Sequence, residues 1–165
     1  MLALNIKNYL ADGFVKVCDV AREPFSNNHW CYKDINESAM FSDHKSWVYF
    51  IVVDSEIVKV GETGNPLGVR LKFSNQPLKG TCGRFGRYRA GDATDRFIRD
   101  ELRGEVREGR VTLWARRCEM VTVKTSVCGR EDVTFTSFHK DLEMRYLDYI
   151  FSETGSFPKL NKTRK

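Results

Sequence analysis

Nothing in this 165-residue chain approaches the roughly 20 consecutive apolar residues that a bilayer-spanning helix requires. The opening residues, Met1 to Leu10, carry Asn and Lys and lack a secretory pattern, so they read as mature sequence, and the cytoplasm is the expected location. Cysteine is sparse and poorly placed for metal. Cys18, Cys31, Cys82, Cys118 and Cys128 form an odd set without a Cys-x-x-Cys pair, and His29, His44 and His139 complete a scattered donor supply. Structural zinc therefore has no anchoring knuckle, and reduced thiols are the simpler reading. Internal repeats and low-complexity segments are also missing.

What is present is the composition of a folded domain, 41% hydrophobic and 30% charged. Lys and Arg number 27 against 22 Asp and Glu, a net charge of +5. That excess is small, but it is clustered at Lys79–Arg89, Arg96–Arg117 and Lys159–Lys165, the footprint expected for a polyphosphate partner.

Residues 1–44 read as an N-terminal extension. Within it, Ile6–Val20 has helix-like apolar spacing, weakened by Gly13, and Glu23–Asn36 reads as irregular. Trp47–Val53 and Ile57–Val60 are apolar, β-branched runs on either side of Asp54-Ser55-Glu56, which predicts a hairpin whose first strand is covered on both faces. Asn65 can cap a short helix opening at Pro66, with Leu67 and Leu71 facing inward. Residues 75–91 form a glycine-rich basic loop. A second helix is expected from about Ala93 to Glu108, burying Phe97, Ile98, Leu102 and Val106. Val111–Val123 alternates as a strand, Val121–Val127 and Val133–Phe138 predict a further hairpin around Cys128–Glu131, and a last helix runs from about Ser137 to Gly155. The class is α+β, a small antiparallel sheet flanked by helices. The body is expected to span residues 45–165, with the loop 75–91 and the hairpin 120–138 as inserts.

Several residues break these patterns. Lys59 sits inside an apolar strand, where its charge carries a desolvation cost unless it is at an edge, paired or functional. Tyr49 shares its face if the hairpin turn holds three residues, but not if it holds two. Glu143 lies on a line with Leu147 and Ile150, the apolar side of the last helix, where a carboxylate invites a metal ion or an arginine. His139, one turn earlier, could join it, although a lone histidine at this spacing is more often an ordinary surface residue. Arg70 follows the hairpin on a helix with apolar neighbours, placed to grip a phosphate or to form a surface ion pair. In the loop, Lys79, Arg84, Arg87 and Arg89 alternate with Phe85 and Tyr88, cations for phosphates and aromatics for bases.

In this order the residues resemble the GIY-YIG nuclease superfamily over roughly residues 46–162. Trp47-Val48-Tyr49 stands for the first motif and Lys59-Val60-Gly61 for the second, with Thr63 shortly after. Arg70 and Glu143 fall on the helices that carry the family's arginine and metal-binding glutamate. Pro158-Lys159-Leu160-Asn161 resembles the Pro-x-Leu-Asn ending, with Asn161 as its late asparagine. The first motif lacks its Gly and Ile, and Lys replaces Tyr in the second, as in a subgroup of type II restriction endonucleases. The position about one turn after Arg70, often His or Tyr in the family, holds Phe73 and Ser74 here; Tyr88 is another candidate for that role.

The resemblance implies cleavage of double-stranded DNA to 5′-phosphate and 3′-hydroxyl ends. It assigns Mg²⁺ to Glu143, water activation to Tyr49 beside Lys59, and charge stabilisation to Arg70. It also implies a homodimer of bacterial or phage origin, with the loop, the second hairpin and residues 1–44 given to groove contacts or dimerisation. A phage or repair endonuclease acting on special structures, and a catalytically silent DNA-binding module, are the alternatives.

Overall fold

The computed structural model describes residues 2–22, 30–71, 97–98 and 100–161. Its centre is the expected hairpin, β3 (Lys45–Val53) and β4 (Glu56–Pro66). Asp54 and Ser55 alone make the turn, because Val53 pairs with Glu56. A two-residue turn by itself would set Lys59 opposite Phe50, on the wrong face for Tyr49. The register instead slips between Val52 and Ile51: Val52 pairs with Ile57, but Ile51 pairs with Lys59, leaving Val58 as the extra residue of a β-bulge. The slip returns Lys59 to the face of Ile51 and Tyr49 and sets Gly61 opposite Tyr49.

Three more strands extend the sheet away from β4. β5 (Val111–Arg117) pairs with the other edge of β3, β1 (Val15–Arg22) with β5, and β2 (Trp30–Lys33) with β1. The result is an antiparallel five-stranded sheet in the order β2-β1-β5-β3-β4. The segment set apart in the sequence as an extension thus supplies two of the five strands. Its expected helix over Ile6–Val20 is not formed as such. A 3-10 helix covers Ile6–Asp12 and ends at Gly13, whose φ of 88° is a left-handed conformation that suits glycine. Beyond it Val15, Val17 and Val20 favour the extended chain, and the packing of Val17 and Val20 against the sheet's core overrides the helical spacing. Trp30–Lys33, read as irregular, pairs as an edge strand because β1 offers it an open side.

β3 is buried along nearly its whole length, as an apolar run without alternation requires. On one face Trp47, Tyr49 and Ile51 pack with Leu67 and Leu71 of α2 (Leu67–Leu71) and with Ile98, Leu102 and Val106. On the other, Val48, Phe50 and Val52 meet Tyr9, Phe14 and the helix residues Tyr146 and Ile150. Phe14 stacks on Phe50 with ring centroids 4.1 Å apart.

The remaining helices are α1 (Glu37–Met40), α3 (Arg103–Arg107) and α4 (His139–Thr154). β4 runs through Pro66, so α2 begins one residue later than expected. Asn65 donates its backbone N–H to Thr63 Oγ1 at 3.0 Å instead of capping the helix with its side chain. The predicted 93–108 helix is realised as helical residues at Phe97–Ile98 and 100–101 leading into α3; residues 93–96 and 99 lie outside the described set. α4 stops at Gly155, whose N–H binds the Phe151 carbonyl at 2.8 Å. The expected strand Val111–Val123 is broken at Cys118-Glu119. Beyond the break, β6 (Met120–Val127) and β7 (Arg130–Ser137) form a separate two-stranded sheet. Its turn is Cys128-Gly129, both at positive φ, shorter than the four residues expected. The class is α+β, as read from the sequence. No described helix is long and apolar enough to cross a membrane.

Candidate active site

The edge strand β4 gathers the residues that broke the sequence patterns. Gly61 lies beneath the Tyr49 ring: a Cβ there would sit 2.5 Å from the phenol oxygen and 2.8 Å from Cε2. Glycine is thus required by close approach rather than by backbone conformation. From α2, Arg70 reaches back to the same ring. Its Nη2 donates to the Tyr49 phenol oxygen at 3.3 Å, and its guanidinium carbon lies 5.9 Å from the ring centroid. Tyr49 itself is only 2% exposed, so its oxygen is fixed by packing on one side and by Arg70 on the other.

Glu143 comes from the opposite layer, on α4. Because β4 is the sheet edge, charges from both layers reach one another around it. Burial first, then the nearby Glu62 carboxylate, push the Glu143 carboxyl above its ordinary range, while Lys59 and Arg70 pull it back. Tyr49, Lys59, Arg70 and Glu143 are therefore linked directly or through Arg70.

Two residues of this cluster carry more weight in the structure than in the sequence. Glu62 follows Gly61 on the α4 side of the sheet, opposite Val48. Its carboxylate lies 3.2 Å from Nε2 of His139, the first residue of α4. His139 Nδ1 is 2.6 Å from Ser137 Oγ and 3.4 Å from Ser46 Oγ. A Cβ at Gly64 would stand 3.2 Å from the imidazole, so that glycine too leaves room for a site residue. Glu62, Gly64, Arg70, His139 and Lys140 line one surface groove of about 410 Å³. The available signal for Glu62 was a carboxylate directly after the second motif, two residues from buried Val60 on a strand. A larger groove of about 560 Å³ lies around Asp54–Glu56 and Arg110 and shares none of these residues.

Asn161 and Thr63 hold the frame. The Asn161 side chain accepts from Val60 N–H at 2.8 Å and donates to Val60 C=O at 2.9 Å, and Leu160 N–H binds the Val58 carbonyl at 2.8 Å. The final segment thereby closes the open edge of β4 beside the bulge. Thr63, buried, receives the Asn65 N–H and sets the path into α2. Lys79, Arg84, Arg87, Tyr88 and Arg89 lie outside the described residues.

The donor chemistry fits a hard divalent cation. Glu143 and Glu62 supply carboxylate oxygens, and among the described residues no group of three or more His, Cys, Asp and Glu side chains forms an all-protein cage. Mg²⁺ is commonly held by one or two carboxylates with water and substrate phosphate completing its shell.

No protein-family model matches this chain, and no curated protein does either. Solved structures similar to this chain include two that align over nearly its whole length. A mutant of bacteriophage T4 EndoII aligns over 94% of this chain and 97% of its own, with 16% identity and a TM-score of 0.59. The restriction endonuclease HPY188I, in complex with product DNA, aligns over 98% of this chain and 87% of its own, with 16% identity and a TM-score of 0.53. The fold of this chain is thus shared with a restriction endonuclease and with the phage EndoII.

Proposed function

We propose that this protein is a magnesium-dependent endonuclease of the GIY-YIG type that cuts double-stranded DNA, acting as a type II restriction enzyme. The observation that carries the proposal is the Arg70–Tyr49 hydrogen bond at 3.3 Å, formed beside a half-buried Glu143 that feels both Arg70 and Lys59. A buried phenol, two cations and a desolvated carboxylate at one sheet edge serve phosphodiester hydrolysis better than they serve stability, because each charge carries a burial cost.

In this reading Arg70 and Lys59 draw the scissile phosphate to the edge of β4 and balance charge that develops on its oxygens. Tyr49, its oxygen held by packing and by Arg70, reacts in this reading as the phenolate beside the Arg70 and Lys59 cations, orienting the attacking water and accepting its proton. Glu143, with Glu62 beside it, would hold Mg²⁺, which when bound polarises the phosphoryl group and steadies the leaving oxygen. The products are 5′-phosphate and 3′-hydroxyl ends. Lys79, Arg84, Arg87, Tyr88 and Arg89 provide groove and phosphate contacts, and a cytoplasmic homodimer brings one site to each strand.

The test is plasmid DNA incubated with purified protein and Mg²⁺, beside Glu143→Ala and a chelator. Discrete fragments that vanish in both controls are expected. Uncut DNA at enzyme excess across many sequence contexts overturns the proposal, and salt-sensitive binding without cleavage marks a silent binding module. The second reading, a phage or repair endonuclease acting on special DNA structures, is favoured by the near-complete match to the phage EndoII, which covers 97% of that chain; nicks at junctions or a smear in place of discrete fragments identify it.

A further inference from the structure

His139 is held by residues of three strands. Its Nε2 faces Glu62 Oε2 at 3.2 Å, and its Nδ1 lies 2.6 Å from Ser137 Oγ and 3.4 Å from Ser46 Oγ. The β3–β4 hairpin is irregular at this end as well as at Val58. Lys45 pairs with Pro66 but Trp47 with Thr63, so Ser46 alone lies against Gly64 and Asn65. Both sides of that irregularity meet the imidazole. A Cβ at Gly64 would stand 3.2 Å from it. Ser46 brings its hydroxyl to the ring from a buried position at a φ of 98°, a conformation that serine rarely adopts.

These contacts divide the work between the two ring nitrogens. An ionised carboxylate only accepts, so a proton is assigned to Nε2 in its bond with Glu62, and the serine hydroxyls serve Nδ1. The bond takes Oε2 and leaves Oε1 for another partner. Glu62 lines the groove with Arg70 and lies near enough to Glu143 to raise the pKa of that carboxyl. Two like charges so placed are reconciled by a shared cation. The imidazole is not a third ligand to it, because among the described residues Glu62, Glu143 and His139 do not form one three-donor group.

We propose that His139 is a positioning residue: through Nε2 it turns the Glu62 carboxylate so that Oε1 faces the divalent cation that Glu143 would hold. Metal-binding carboxylates are commonly oriented by such outer hydrogen bonds, and losing one costs about 10–100-fold in affinity. The two serines and Gly64 fix the ring, and the ring fixes the carboxylate. The proposal rests on the magnesium site of the reading above but not on cleavage, because it is tested without DNA.

Mn²⁺, a paramagnetic stand-in for Mg²⁺, reports metal affinity by electron paramagnetic resonance on the full chain. His139→Ala should weaken binding by about 10–100-fold. His139→Gln, whose amide places a donor at the reach of Nε2, should restore most of it. In a Glu62→Ala background His139→Ala should cost nothing more, because the carboxylate it acts through is gone. A lower melting temperature with unchanged affinity marks a structural role and overturns the proposal. So does a glutamine variant no better than alanine, or a wild type that binds no Mn²⁺. A further loss in the Glu62→Ala background makes the imidazole a ligand in its own right and overturns it too. Nitrogen-15 spectra of the metal-free wild type need no substitution: Nε2 should carry a proton, and a bare Nε2 refutes the assignment. The expected affinities in a protein that cuts no DNA leave this role of His139 standing and remove the nuclease reading.

Discussion

Gly61→Ala places one carbon where Tyr49 already is. The added Cβ would lie 2.5 Å from the phenol oxygen and 2.8 Å from Cε2, against the roughly 3.5–4.0 Å at which non-bonded carbons rest. The ring must therefore withdraw by about 1 Å. It has little room to do so, because Tyr49 is 2% exposed and β3 is buried on both faces. Gly61 lies in ordinary strand backbone, where alanine would otherwise stabilise by about 0.4–1 kcal/mol through the unfolded chain. Overpacking acts the other way, at about 1–3 kcal/mol, and wins. For a chain of this size each kcal/mol lowers Tm by roughly 2–4 °C. The proposed chemistry suffers more, because a displacement of about 1 Å at a reacting group can cost on the order of 100-fold in rate. Thermal denaturation and single-turnover plasmid cleavage measure the two effects. Tyr49→Ala empties the contested space, so Gly61→Ala added to it should lose much of its penalty, a coupling visible in a double-mutant cycle. Equal penalties in both backgrounds, or a Gly61→Ala protein as stable as wild type, refute the close-approach argument.

Glu143 supplies a prediction with a definite sign. Its folded pKa is raised by burial and by Glu62, so the stabilisation belongs to the protonated form: it is complete below the unfolded pKa and is lost as pH rises through the folded one. Without metal, Glu143→Gln should remove that loss and melt above wild type at neutral pH, whereas added Mg²⁺ should stabilise wild type alone; identical melting behaviour across pH counts against a desolvated carboxylate. Asn161→Ala should strip both partners from the outward groups of Val60 at a cost of about 1–3 kcal/mol. Hydrogen exchange at the Val60 amide should accelerate, and unchanged exchange would show that something else closes the edge.

The sheet's middle was legible because its signals are local and strong. Trp47–Val53 has no polar break, so a strand covered on both faces was the one economical reading, and β3 is that strand. The N-terminal segment misled because Ile6, Tyr9, Leu10, Phe14 and Val17 satisfy helical spacing while the decision rested on partners far away in sequence. β1 exists because β5 offers it an edge, and no window of local sequence contains that fact. Glu143 was legible as a carboxylate on an apolar helix face. Glu62 was not singled out, since its importance lies in proximity to His139 and Glu143, residues on a helix that follows more than 70 positions later.

The hairpin shows how a site can be specified by backbone irregularity rather than by residue identity. From turn length alone, Lys59 belongs on the far face from Tyr49; the bulge at Val58 reverses that assignment within three residues of the turn. Two positions further on, Gly61 admits the Tyr49 ring that any side chain would displace, and between them Val60 is held by Asn161. Each device acts on a different coordinate: the bulge sets the face, the glycine sets the depth, and the asparagine fixes the edge against fraying. Straightening the bulge with Val58 kept would pair Val58 with Ile51 and Lys59 with Phe50, flipping Lys59 to the other face while leaving every motif residue present in the sequence. A family pattern read as letters would still match such a chain, and the cluster around Tyr49 would be gone.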